Sequence, residues 1–190
     1  INPLSTDWHT LYLWHAEVGT VGFDCDFAKW DATVPIELME RLPRIYNRIY
    51  QVCDKRWKPE DDVVRTNLHA VMHGAFVLYH DVILKMPGGQ MTGQPQTALD
   101  NSLINWVYAL YVWMKLARRH APALASFYHF NQQVRASFYG DDNILSFNPF
   151  GLGSISCRTL QCVPSLDLQL CQLTKAIKFT HSVKFTNFPS

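Results

Sequence analysis

Ser137-Phe138-Tyr139-Gly140-Asp141-Asp142-Asn143-Ile144-Leu145-Ser146-Phe147 sets a glycine and two aspartates between two short apolar runs. Gly140-Asp141 is a tight-turn dipeptide, so the segment reads as strand, turn, strand. The reading places two adjacent carboxylates at the tip of a packed hairpin. Like charges held that close are costly unless a cation or abundant water compensates them. Tyr-Gly-Asp-Asp itself recurs by chance only about once in 160,000 positions, at roughly one in twenty per residue type.

Upstream, Val18 to Phe27 alternates. Val21, Phe23, Cys25 and Phe27 point one way, and Gly22, Asp24 and Asp26 the other, which predicts a strand with carboxylates on one face. If that strand neighbours the hairpin, Asp26 meets Asp141 and Asp142 at one edge of a sheet. Three carboxylates are hard oxygen donors of the kind Mg²⁺ takes, completing its shell with water and substrate phosphates. Asp24 reads as the exposed face of an edge strand.

Thr33 as N-cap and Pro35 then predict a helix from about 35 to 57, bent or interrupted at Pro43. Lys58 to Asp62 reads as a polar break, with Asp61-Asp62 in a solvated turn. His69 to Lys85 suggests two short strands turning at His80-Asp81, with a helical start near Leu68 as the alternative. A glycine-rich loop from Gly88 to Gly93 leads into a helix over about 97–119, whose apolar stripe is Leu99, Leu103, Val107, Leu110 and Met114. Pro122 opens a short helical stretch. Beyond Phe150 periodicity is poor, and a helix over about 168–178 is the reading there.

These 190 residues carry 17 Lys+Arg against 16 Asp+Glu, a net charge of +1. That balance excludes a protein that grips nucleic acid by bulk positive charge. With 48% hydrophobic residues, extended disorder is excluded as well. The five cysteines lack C-x-x-C spacing, so neither a disulfide framework nor a zinc ribbon follows, and a reducing compartment fits. No signal peptide is read at Ile1, and the start without Met suggests an internal or processed fragment. The longest uncharged apolar run, Ser102 to Met114, is too short for a bilayer. His69-x3-His73 has helical metal-ligand spacing but lacks the glutamate of H-E-x-x-H and an obvious third ligand, which argues against zinc. Arg41, Arg44 and Arg48 read as a solvated helix face, and Trp106 and Trp113 as core or interface.

Three segments, in order, resemble the palm of viral RNA-dependent RNA polymerases of the positive-strand picornavirus, calicivirus and astrovirus type. Asp26-Phe27-Ala28-Lys29-Trp30-Asp31 looks like motif A with its D-x4-D spacing. Gly88-Gly89 through Thr97, Asn101 and Asn105 looks like motif B, although Gln90-Met91-Thr92 stands where Pro-Ser is commoner. Tyr139-Gly140-Asp141-Asp142 matches motif C. The resemblance, spanning roughly residues 2–147, implies an α+β palm with a small antiparallel sheet packed on helices. Residues about 63–96 would extend toward the fingers, and 150–190 would be a degraded motif D region.

By the same resemblance, Asp26, Asp141 and Asp142 would hold two Mg²⁺ ions, Mn²⁺ being able to substitute. Asp31 and Asn101 would bond the ribose of the incoming nucleotide, with Thr97 orienting them. Gly89, Thr92 and Gly93 would form a loop touching template and nucleotide. Lys184, ahead of the alternatives Lys175 and Lys178, would be the general acid to pyrophosphate. The implied activity is template-directed RNA synthesis from ribonucleoside triphosphates, with template and product RNA as partners and the fingers and thumb outside this segment. The implied setting is the host cytoplasm, in membrane-associated replication complexes. A reverse transcriptase would carry a bulky aromatic where Asp31 stands, and that difference favours ribonucleotides. A non-catalytic palm-like scaffold is the rival of another class.

Overall fold

The computed structural model describes residues 5–19, 21–27, 29–85, 89–91, 93–148 and 177–184. The chain forms two compact units, Ile1–Ala28 with Asn101–Ser190, and Lys29–Asp100.

The first unit is built on a four-stranded antiparallel sheet of β1 (Val21–Phe27), β4 (Val134–Tyr139), β5 (Asp142–Phe147) and β6 (Ile177–Lys184), in the order β4-β5-β1-β6. The strand reading of β1 holds, and β4 begins three residues earlier than the sequence suggested. β1 is internal, bonded to β5 and β6, so Asp24 lies half-buried on a central strand and not on an edge. The final element corrects the expected helix over 168–178. Residues 177 and 178 open β6, and 168–176 fall outside the described residues.

Helix α6 (Thr97–His120) is the long helix expected, but its apolar stripe fails at the first turn. Leu99 is 53% exposed, whereas Asn101, Ile104, Asn105, Trp113, Leu116 and Ala117 are buried. Trp113 and Ala117 pack with Phe130 of α7 (Phe127–Gln133), Val134 of β4 and Leu145 of β5. Burying a large apolar side chain of this kind contributes about 1.5–3 kcal/mol. The Trp113 indole N–H is satisfied by the Leu124 carbonyl at 3.1 Å. Pro122 opens a single 3-10 turn to Leu124, and α7 follows, capped by Ser126, whose hydroxyl accepts the His129 N–H.

Helix α1 (Asp7–Ala16) delivers His15 into the sheet. Its Nδ1 lies 2.9 Å from Ser146 Oγ and its Nε2 2.8 Å from Ser137 Oγ. Ser146 donates its own proton to the His15 carbonyl, so Nδ1 carries the ring proton and Nε2 accepts from Ser137. Burial, and then the charge of Arg135, push this imidazole below its ordinary 6.5. Arg135 in turn pairs with Glu17 at 3.2 Å. A lowered folded pKa gives stability that is complete above 6.5 and is lost as pH falls below it. Urea midpoints of the chain should therefore drop between about pH 7.5 and about pH 5.5, and His15→Gln should reduce that dependence without abolishing it, because burial lowers His69 and His73 as well.

In the second unit the single helix expected over 35–57 is two, α3 (Ile36–Met39) and α4 (Leu42–Cys53), and a short α2 (Trp30–Thr33) precedes them. Pro43 sits in the first turn of α4, where its missing N–H costs nothing, and the break precedes it. Thr33 ends α2 instead of capping a helix, its hydroxyl bonding the Lys29 and Trp30 carbonyls. The supposed polar break opens α5 (Pro59–His73), with Pro59 at N1 and Glu60, Asp61 and Asp62 in the first turn, where the helix dipole favours negative charge. Asp61 accepts the Lys58 N–H, and Asp62 accepts from Trp57, Gln51 and Arg65. His69 to His73 is therefore helix, not strand. The hairpin of β2 (Phe76–Tyr79) and β3 (Val82–Lys85) turns at His80-Asp81 as read.

Candidate active site

Both strands that carry the acidic motifs lie in one sheet with a definite register. Asp24 of β1 stands opposite Ile144 of β5 as the last pair of their antiparallel ladder, so the end of β1 that carries Asp26 and the start of β5 at Asp142 lie at the same end of the sheet. Tyr139 pairs with Asp142, leaving Gly140-Asp141 as a two-residue loop. Gly140 takes φ 68°, the left-handed value a type II′ hairpin needs at its first central position, where glycine alone is unstrained. A β-hairpin with a neighbouring strand thus assembles backbone positions 26, 141 and 142 at one end of the sheet.

Two side chains of α6 hold the tip. The Ser102 hydroxyl accepts the Gly140 N–H at 2.8 Å, and the Asn105 amide donates to the Asp141 carbonyl at 2.9 Å. They stand three apart, on one helix face, which explains why asparagine occupies a buried position there. Asn143 also donates to the Asp141 carbonyl, at 3.2 Å. Ser102 and Asn105 were visible in the sequence as polar residues on the helix, but their role as a backbone clamp emerges only from the packing. The tip's backbone is tied down while the Asp141 and Asp142 side chains remain exposed. Among the described residues, neither carboxylate enters an ion pair. Exposed, uncompensated carboxylates on a fixed backbone are a donor set suited to a hard divalent cation.

The lysines separate along β6. Lys178 pairs with Asp26, whereas Lys184 pairs with Val21 near the other end of β1. Register therefore sets Lys178, not the preferred Lys184, beside the acidic end. Lys175 lies outside the described residues.

The second unit gathers its own set. The Asp31 carbonyl accepts the Gln90 N–H at 2.7 Å, and the Gly89 N–H reaches the Val34 carbonyl at 3.2 Å, so the loop after Gly88 docks on the turn after motif A. Gly89 and Gly93 adopt φ 89° and 87°. Thr97 bonds its hydroxyl to the Met91 carbonyl at 3.2 Å, closing the loop onto the start of α6. Asp31 is exposed. In the first unit, Asn101 is buried and its Oδ1 has no hydrogen-bond partner. Thr92 lies outside the described residues.

A small antiparallel sheet with an acidic hairpin, packed on helices, defines a polymerase palm. Comparison with known proteins agrees. A family model described as viral RNA-dependent RNA polymerase matches residues 1–152, and the chain belongs to that family. It is 28% identical over 148 residues to the RNA1 polyprotein of Tomato ringspot virus (isolate raspberry), covering 78% of this chain and 6% of the polyprotein. The replication polyprotein of Nora virus is also 28% identical, over 147 residues, with 77% and 6% coverage. Among solved structures, the Sicinivirus 3Dpol RNA dependent RNA polymerase superposes with a TM-score of 0.51 at 17% identity, covering 96% of this chain and 33% of that one. The chain thus spans about 6% of the two polyproteins and a third of that solved polymerase. It corresponds to the palm region of a positive-strand RNA virus polymerase.

Proposed function

We propose that these residues form the catalytic palm of a longer polymerase that extends an RNA 3′ end with ribonucleoside triphosphates by two-metal nucleotidyl transfer. The observation that supports this reading is the antiparallel pairing of β1 with β5, whose last pair, Asp24 with Ile144, is followed by Asp26 on one strand and preceded by Asp142 on the other. Asp26, Asp141 and Asp142 would hold Mg²⁺. When bound, that metal supplies Lewis-acid activation of the attacking oxygen and neutralises charge on the leaving pyrophosphate. The chain's own contribution is geometric: Ser102 and Asn105 fix the backbone that carries the acidic pair, so little reorganisation is needed when substrate arrives.

Asp31 and Asn101 are proposed to bond the ribose. A buried amide oxygen left without a donor, as in Asn101, rewards a hydroxyl that supplies one and penalises a deoxynucleotide that does not. Gly89, Thr92 and Gly93 would contact template and nucleotide, Thr97 holding the loop. Lys178 is the lysine best supported by register as proton donor to pyrophosphate. Fingers and thumb elsewhere in the polypeptide would supply the cationic grip on RNA and triphosphate, so the isolated chain is proposed to be inactive. Replication inside a host cell fits the viral polyproteins among the relatives, and a cytoplasmic place beside membranes is part of the proposal; among the described residues no helix is long and apolar enough to cross a bilayer.

Primer extension on an RNA template, by a polypeptide that contains this palm, tests the reading. Ribonucleotides should be incorporated in a Mg²⁺-dependent reaction, and deoxynucleotides far more slowly. A preference for deoxynucleotides would reassign the palm to a reverse transcriptase. Mg²⁺ binding that survives Asp141→Ala unchanged would make it a scaffold.

A further inference from the structure

In the second unit, three metal-ligating side chains that the polymerase reading leaves unused converge in the interior. His69 and His73 stand one turn apart on α5, and Asp100 lies in the first turn of α6. Each offers a donor atom, and the three atoms lie within 4.8 Å of one another. His69 is 2%, His73 5% and Asp100 0% exposed. The spacing of the histidines was legible in the sequence; the third ligand was not, because packing, not sequence proximity, brings Asp100 to them.

The distances suit a metal centre as well as a partly hydrogen-bonded core. His69 Nδ1 and His73 Nε2 are 3.3 Å apart, and His73 Nε2 is 4.0 Å from Asp100 Oδ2. The first is a long hydrogen bond, and the second is beyond hydrogen-bond reach. Zn–N bonds of about 2.0–2.1 Å at tetrahedral angles set donor atoms about 3.3–3.4 Å apart, as in the histidine pair, and the Asp100 carboxylate, at 4.0 Å from His73 Nε2, would close by a fraction of an ångström on the ion. Asp100 Oδ2 has no hydrogen-bond partner, although it belongs to a fully buried carboxylate. The other oxygen, Oδ1, accepts from the Tyr46 hydroxyl. A buried carboxylate with one bare oxygen facing two imidazoles lacks a positive charge.

We propose that His69, His73 and Asp100 bind a zinc ion, with Tyr46 orienting the carboxylate from the outer shell. Two imidazoles and one carboxylate suit zinc, whereas Mg²⁺ avoids imidazole, so this centre is chemically distinct from the acidic hairpin. A water completes the tetrahedron. The ion staples the end of α5 to the start of α6, beside the loop that Thr97 closes. Its role is structural, and the proposal stands whether or not the chain polymerises.

The test uses the 190-residue chain purified without chelator, with metal content measured by mass spectrometry. One zinc per chain is expected, and none in His73→Ala. Chelation should lower the melting temperature, and Zn²⁺ but not Mg²⁺ should restore it. Cobalt(II) added to the stripped chain should give the intense visible absorption of a tetrahedral site. Tyr46→Phe, which keeps the ring, should weaken zinc affinity about ten- to a hundredfold. Asp141→Asn should leave zinc content untouched, which separates this centre from the polymerase reading. A wild-type chain without zinc, with no thermal response to added Zn²⁺ and no cobalt band, would overturn the proposal and leave a buried polar cluster.

Discussion

Asp141→Asn should reduce ribonucleotide incorporation by about a thousandfold or more, since a lost metal ligand removes several kcal/mol of transition-state stabilisation and each factor of ten is about 1.4 kcal/mol. The fold should not notice. The Asp141 carboxylate is exposed and in no ion pair among the described residues, while the clamp from Asn105 and Asn143 grips the backbone carbonyl, which the substitution preserves. Thermal melting of the variant should match the parent, and relief of repulsion from Asp142 can only help it. The informative measurement is therefore the pair, extension rate and melting temperature, on the same preparation. Extension within about tenfold of the parent would remove Asp141 from the metal site.

Gly89→Ala should be the most damaging conservative change in the second unit, for reasons separable from chemistry. Gly89 holds φ 89°, and a Cβ there would overlap the Asp31 carbonyl oxygen and crowd Ala32. The neighbour is backbone, so nothing flexible can yield. The left-handed conformation costs an alanine about 1–2 kcal/mol, and the two bonds to Val34 and Asp31 are each worth about 1 kcal/mol net. A loss of about 3 kcal/mol or more is expected in urea unfolding, a large share of a typical domain's stability. Gly93 supplies the control. Its φ of 87° is as demanding, but nothing lies within 4 Å of the added carbon. Gly93→Ala should therefore cost only the conformational part, about 1–2 kcal/mol. Equal losses at the two sites would show that close packing on Asp31 is not what fixes the loop.

The sheet and its acidic end were legible because period-two alternation and a Gly-Asp turn are local signals. The same locality explains what went astray. The apolar stripe of α6 holds at Leu110 and Met114, which pack on the core, and fails at the first turn, where Leu99 is exposed; toward the hairpin, Ser102 and Asn105 answer backbone amides and carbonyls better than leucine would. Helix α5 was hidden because its last turn, His69 to His73, reads together with the hairpin up to Lys85 as strand. Its acidic first turn behind Pro59 was a helix start mistaken for a break. Lys178 and Lys184 could not be ranked before β6 was paired, since strand register is a property of two segments. Asp100 as a neighbour of His69 and His73 is tertiary in the same sense.

The chain uses the dipeptide Asp-Asp twice and treats it oppositely. At residues 61 and 62 the carboxylates are satisfied by Lys58, Trp57, Gln51 and Arg65. At 141 and 142 no Lys or Arg pairs with them among the described residues. For the proposed chemistry, that bareness sorts arrivals by their own charge. A naked triphosphate would meet a higher barrier near the tip than one already chelated, whose net negative charge is smaller. Order of addition then follows from Coulomb's law, with the counter-ion escorting the nucleotide through the door.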